Sequence, residues 1–174
     1  MGLHLIIDGY NLIRQSDWLG DIDRRSLQRG REALISTLVR YKKLRGHRIT
    51  VVFDGGQAPS FGDRRDQRGG IEIRFSRQGE LADAVIKRMC TRERGQALVV
   101  TSDTEIVRYA EARGAATIAS PAFEEKLMMA EYMDASGEAP EEAEAGWRPT
   151  TRKKGPARRR SKRQRRNRLK TRKL

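Results

Sequence analysis

The sequence predicts an α/β protein, a three-layer α/β/α sandwich built on a central, mostly parallel sheet. Short apolar runs such as "LHLII" (3–7), "RITVVF" (48–53) and "ALVVT" (97–101) have no polar alternation, as expected of strands covered on both faces. Between them lie segments of ten residues or more with helical spacing, long enough for right-handed crossovers. A chain of 174 residues is also the size of one core.

Taken in order, 3–7 is the first buried strand. After a loop, residues 24–45 show a helical pattern, with Leu27, Ala33, Leu34, Leu38, Val39 and Tyr41 on its apolar side. Gly46 suits its left-handed C-cap. The second strand is 48–53. Residues 57–70 are polar and arginine-rich and read as an exposed loop. "IEIRF" (71–75) alternates and reads as a strand with one face solvated or at the sheet edge. A helix over 81–93 turns Leu81, Ala84, Val85, Ile86 and Met89 inward. The strand 97–101, a helix over 104–113, a short strand over 115–119 and a helix over 122–133 complete the body.

Asp8, Asp54 and Asp103 each follow the end of a predicted parallel strand, at the rim where open α/β sheets place their ligands. Asp83 lies in the first turn of its helix, with Glu80 just before it. Read singly, Asp8 and Asp54 are also turn residues, Asp103 a helix N-cap and Asp83 a partner for the helix dipole. Read together, they form an acidic cleft whose members raise one another's pKa unless a cation is present. An all-oxygen donor set suits Mg²⁺ or Mn²⁺, which can activate water and neutralise a transferring phosphoryl group. Asn11 follows Asp8 by three residues and can reach a phosphate, and Ser102 stands beside Asp103, placed to orient it. His4 and His47 are assigned to structure. Trp18 is a candidate for stacking on a base, or for covering the sheet edge.

The net charge of +14 is concentrated at one end. Residues 147–174 hold 15 of the 37 Lys and Arg residues and no acidic one. The remainder, 22 basic against 23 acidic, is close to neutral. Such a block predicts disorder in isolation and a polyanionic partner. The expected division is a body (1–134), an acidic linker (135–146) and a disordered Arg/Lys-rich tail (147–174). Candidate RNA contacts are Arg64, Arg65 and Arg68 in the loop, and Arg158, Arg159, Arg160, Lys162, Arg163, Arg165 and Arg166 in the tail. One cysteine, Cys90, excludes an intramolecular disulfide and an all-Cys metal site. No apolar stretch has membrane-spanning length and no signal-like N-terminus is present, so the expectation is cytoplasmic. The absence of G-x-G-x-x-G after the first strand excludes a dinucleotide-binding dehydrogenase.

Four motifs, "LIIDGYNLI", "VVFDGG", "ELADAVIKRM" and "VVTSDTEI", in this order, resemble the YacP-like branch of NYN-domain proteins, relatives of the PIN-domain nucleases. The resemblance covers residues 3 to about 133. It implies a PIN-like sheet with its five strands ordered 3-2-1-4-5 and a metal-dependent ribonuclease site. Asp8, Asp83 and Asp103 would be its metal-binding carboxylates, Asn11 the polar companion and Asp54 a further acidic residue. It implies in-line attack by an activated water, leaving a 5′-phosphate and a 3′-hydroxyl. It also implies a role in RNA turnover, on messenger or ribosomal RNA, with the ribosome as a candidate partner. The expected activity is a Mg²⁺- or Mn²⁺-dependent endoribonuclease with RNA as partner and no small-molecule cofactor. A non-catalytic RNA- or ribosome-binding protein is the first rival and a structure-specific DNA nuclease the second.

Overall fold

In a computed structural model, residues 3–57, 65–136 and 161–174 are described. Six strands form one sheet in the order β3-β4-β2-β1-β5-β6: β1 (His4–Asp8), β2 (Arg48–Phe53), β3 (Arg65–Arg68), β4 (Ile71–Phe75), β5 (Ala97–Val100) and β6 (Ala116–Ile118). All neighbours are parallel except β3, which runs antiparallel to β4. The expected order of five strands is present, and β3 is added at one edge.

The strands read as unbroken apolar runs because both faces are covered. Leu5 and Ile7 of β1 join Leu98 and Val100 under α1 (Gly9–Gln15), α3 (Leu27–Arg45) and α6 (Ser120–Ser136). Ile6 points the other way, with Val52 and Val99, onto α4 (Ala82–Glu93) and α5 (Thr104–Ala112). Alternation along a strand thus feeds two cores.

Three expectations change. The loop between the first strand and residue 24 is instead α1 followed by α2 (Asp17–Arg25). Asp8 caps α1, while Ser16 and Ser26 accept from Leu19 N–H and Arg29 N–H to start α2 and α3. Gly9 permits this tight exit from β1, since a Cβ there would stand 2.3 Å from the Phe53 ring. Gly46 does end α3, at φ 66°.

Second, the expected exposed loop over 57–70 contains β3. All four of its residues are exposed, so no apolar alternation announced it. The hairpin turns on Gly69 and Gly70, both at positive φ (54° and 79°), the conformation a tight two-residue turn demands.

Third, the expected disorder of the basic tail does not hold for residues 161–174, which carry α7 (Lys162–Thr171). Ser161 and Gln164 form a reciprocal capping box. Asn167 Oδ1 accepts the Thr117 N–H of edge strand β6 at 2.8 Å. Lys170 reaches the Gly95 and Ala97 carbonyls. The final Leu174 is buried, its carbonyl accepting from the Tyr41 hydroxyl at 3.0 Å, and His47 Nε2–H donates to the Lys173 carbonyl. These local bonds offset the charge repulsion within the helix. The linker beyond Ser136 and residues 147–160 lie outside the described residues.

Candidate active site

The sheet register brings the strand-end carboxylates together. Asp8 ends β1, and β5 lies directly beside it. Thr101, just past β5, bridges the two: its hydroxyl donates to Asp8 Oδ2 at 3.1 Å and accepts the Asp103 N–H at 3.1 Å. Asp103 caps α5, its Oδ1 accepting from Glu105 and Ile106 N–H. Across β2, Asp54 Oδ1 accepts the Ala82 N–H at 2.6 Å. That bond fixes the start of α4, whose first turn carries Asp83. Each turn or cap reading of these residues is therefore correct for one oxygen, and the same bonds aim the carboxylates at one rim.

The electrostatics show that they feel one another. Asp8 is only 8% exposed, and its carboxyl is pushed up to about 6, chiefly by burial and further by Asp83 and Asp54. Asp83 is also raised, by burial and then by Asp103. Desolvation and like charge both disfavour the ionised rim, and a bound cation relieves both.

Asn11 is held by its side-chain oxygen, which accepts from Ser102 N–H at 2.8 Å and Ser120 Oγ–H at 2.7 Å. Two donors on Oδ1 fix the amide orientation and leave Nδ2 as the donor end of the group. Ser102, expected to orient the Asp103 carboxylate, holds Asn11 through its backbone N–H instead, while the Asp103 carboxylate is oriented by the Glu105 and Ile106 N–H groups and Thr101 orients that of Asp8.

Sequence reasoning missed Thr101, Ser120, Lys87 and Glu105. Thr101 stands in the quoted "VVTSD" motif, and the parallel pairing of its strand with β1 was the signal. Lys87 lies one turn after Asp83 and pairs with Glu105, two residues after Asp103. Glu80 does not join the rim, being paired with Arg88. His4 bonds Thr50, and His47 the C-terminal backbone, so both are structural.

Among the described residues, no three His, Cys, Asp or Glu side chains are grouped so as to hold a metal ion. The residues present still fit Mg²⁺ or Mn²⁺. Their oxygens are hard donors, the carboxyls of Asp8 and Asp83 are raised, and these ions accept one or two direct carboxylates with water completing the shell. Among the described residues, no helix is long and apolar enough to cross a membrane.

Of the candidate RNA contacts, Arg65 and Arg68 are exposed on β3, with Arg65 opposite Arg74 near the carboxylate end of β4 and Arg68 beside Asp66. Lys162, Arg165 and Arg166 lie on α7, whereas Arg163 is paired with Glu111. Arg64, Arg158, Arg159 and Arg160 lie outside the described residues. Trp18 is 40% exposed on α2 and lines an apolar groove of about 260 Å³ with Leu12 of α1 and Leu127 and Met128 of α6. It therefore covers helices and not the sheet edge.

A family model described as the YacP-like NYN domain matches residues 5–172, and so takes in α7 as well as the body. The protein YacP of Bacillus subtilis (strain 168) is 29% identical over 85 residues, 49% of this chain and 49% of that protein. The chain thus matches about half the length of this curated relative. A crystal structure of Rae1 (YacP) from Bacillus subtilis superimposes with a TM-score of 0.67 at 24% identity, covering 79% of each chain. A mutant of the same protein gives 0.66 at 23% identity, covering 80% of this chain and 87% of that one. At these identities the likeness shows the fold, which is PIN-like.

Proposed function

We propose that this chain, which belongs to the YacP-like NYN domain family, is a divalent-metal-dependent endoribonuclease acting in the cytoplasm on messenger or ribosome-bound RNA. The observation that carries the reading is the collection of Asp8, Asp54, Asp83 and Asp103 from four separate segments at one rim, with Asp8 held at about 6 by burial and by its acidic neighbours. A charge cluster this unfavourable is what a site arranged for a cation presents.

One or two of Asp8, Asp83 and Asp103 would hold Mg²⁺ or Mn²⁺ directly and the rest through bound water, with Asp54 fixing the helix that delivers Asp83. When bound, the ion supplies an acidified water and counter-charge for the phosphodiester. The chain's own residues do the rest. Thr101 holds Asp8 and the Asp103 backbone in one geometry. Asn11 offers its Nδ2–H to a non-bridging phosphate oxygen, pre-aimed by Ser102 and Ser120. Arg65 and Arg68, with the outward cations of α7, attract the RNA backbone without reading its sequence. Hydrolysis then leaves a 5′-phosphate and a 3′-hydroxyl.

The test is cleavage of a mixed, labelled RNA pool with Mn²⁺, Mg²⁺ or EDTA, beside Asp8→Asn. Metal-dependent products with 5′-phosphates, absent in the variant, support the reading, and cleavage retained by Asp8→Asn refutes it. A second reading, an RNA-binding protein with a vestigial rim, is favoured by the lack of a three-donor group among the described residues. Tight RNA binding without hydrolysis, on free RNA and on translating ribosomes alike, would decide for it.

A further inference from the structure

A lysine stands beside the acidic rim. Lys87 projects from α4 one turn beyond Asp83, and its ammonium crosses to Glu105 on α5, two residues beyond Asp103. The same ammonium lies 5.8 Å from the centre of the Tyr109 ring, which is backed by the Arg113 guanidinium at 4.5 Å. Lys87 is thus tied to both helices that bring carboxylates to the rim, and its side chain is 22% exposed. Its tether is not so enclosed: the Glu105 side chain is 76% exposed, so the pair can open into water without burying a charge.

We propose that Lys87 is the resident counter-cation of the carboxylate rim, and that a divalent ion loads by competing with it. Lys87 stands one helical turn from Asp83 on α4, the spacing at which helix neighbours face one another, and its ion pair with Glu105 carries it to the start of α5, which Asp103 caps. An ammonium and a divalent cation draw on the same field, and the second arrival weakens the first. Lys87 is therefore a positioning residue: it keeps α4 and α5 together while the rim is empty and sets how tightly the rim takes metal. The metal half of this inference rests on the function proposed above.

Full-length wild type, Lys87→Gln and Lys87→Arg separate these roles. In EDTA and low salt, Lys87→Gln is expected to melt several degrees below wild type, with Lys87→Arg restoring most of the loss. High NaCl should shrink the deficit, because screening weakens carboxylate repulsion. Lost side-chain packing alone would leave it unchanged. Titration with Mn²⁺ alone, followed by the paramagnetic signal of free ion, should then show Lys87→Gln binding about tenfold more tightly than wild type, the effect of removing roughly one nearby unit charge. A deficit independent of salt, or Mn²⁺ affinity equal to or below that of wild type, overturns the proposal. No Mn²⁺ uptake by any of the three chains overturns the metal-dependent function itself and the loading half with it, a different outcome from equal uptake.

Discussion

Asp8 sits where β1 ends and α1 begins, so its carboxylate is enclosed while it caps a helix. In the unfolded chain it ionises near 3.8, and in the folded one near 6. The folded state therefore keeps the proton longer, and stability falls as pH rises from about 4 through 6. Above that window the loss is complete, at about 3 kcal/mol for a displacement of this size. Asp8→Asn removes the charge while keeping an acceptor for the Asn11 N–H and one for the Thr101 hydroxyl or a donor to it. In EDTA at pH 8 it should melt higher than wild type by several degrees, with the gain gone by pH 4. If Asp8→Asn is no more stable than wild type at pH 8, this account is wrong. Asn11 invites a second test. Asn11→Asp keeps both accepted hydrogen bonds and removes the Nδ2 donor. The expectation is a kcat lower by roughly 10²-fold, the usual effect of losing one preorganised donor, with RNA affinity changed far less. Single-turnover cleavage separates the two. The carboxylates were legible because each ends a strand or opens a helix. Thr101 and Lys87 were not, because their roles exist only once β5 lies beside β1 and α4 beside α5.

At the scale of elements, α7 shows where charge reasoning fails and why. "KRQRRNRLKT" repels itself, and composition alone gives disorder. Yet Asn167, Lys170, Thr171 and Leu174 recur at i, i+3, i+4 and i+7, a helical stripe. They form the inward face, with an amide, an ammonium on an aliphatic stem and one leucine in place of an apolar seam. A stripe so polar has no hydrophobic signature, and its partners are backbone groups at β6 and β5 that a sequence does not mark. Asn167→Ala leaves the Thr117 N–H of β6 without its side-chain acceptor. A loss of about 1–2 kcal/mol is expected by urea denaturation, against less than about 0.5 for the outward Arg168→Gln. Equal, negligible losses at both positions would show that α7 does not pack as described. β3 was hidden for a related reason. An edge strand of four exposed polar residues lacks alternation, and only the glycine pair behind it marks the hairpin.

At the scale of the molecule, the two charged features occupy opposite ends of the sheet. Asp8, Asp54 and Asp103 lie at or just beyond the C-terminal ends of β1, β2 and β5. The C-terminal half of α7 binds Gly95 and Ala97 where β5 begins, and the residues after it bind His47 just before β2. The length of a five-residue strand, about 17 Å, separates these rims. If the chain cleaves RNA as proposed, an RNA held by α7 has to run along the edge of the sheet to reach the rim, so the helix is expected to act on long RNA and not on the cleavage step. Arg168→Gln with Arg172→Gln tests this without disturbing the inward stripe. For long RNA, the slope of log K against log[salt] should fall in magnitude by about 1–2, as expected for one or two lost phosphate contacts. Cleavage of a di- or trinucleotide, too short to span the sheet, should be unchanged. If the short substrate slows as much as the long one, α7 contributes at the rim itself, and the two-ended arrangement is wrong.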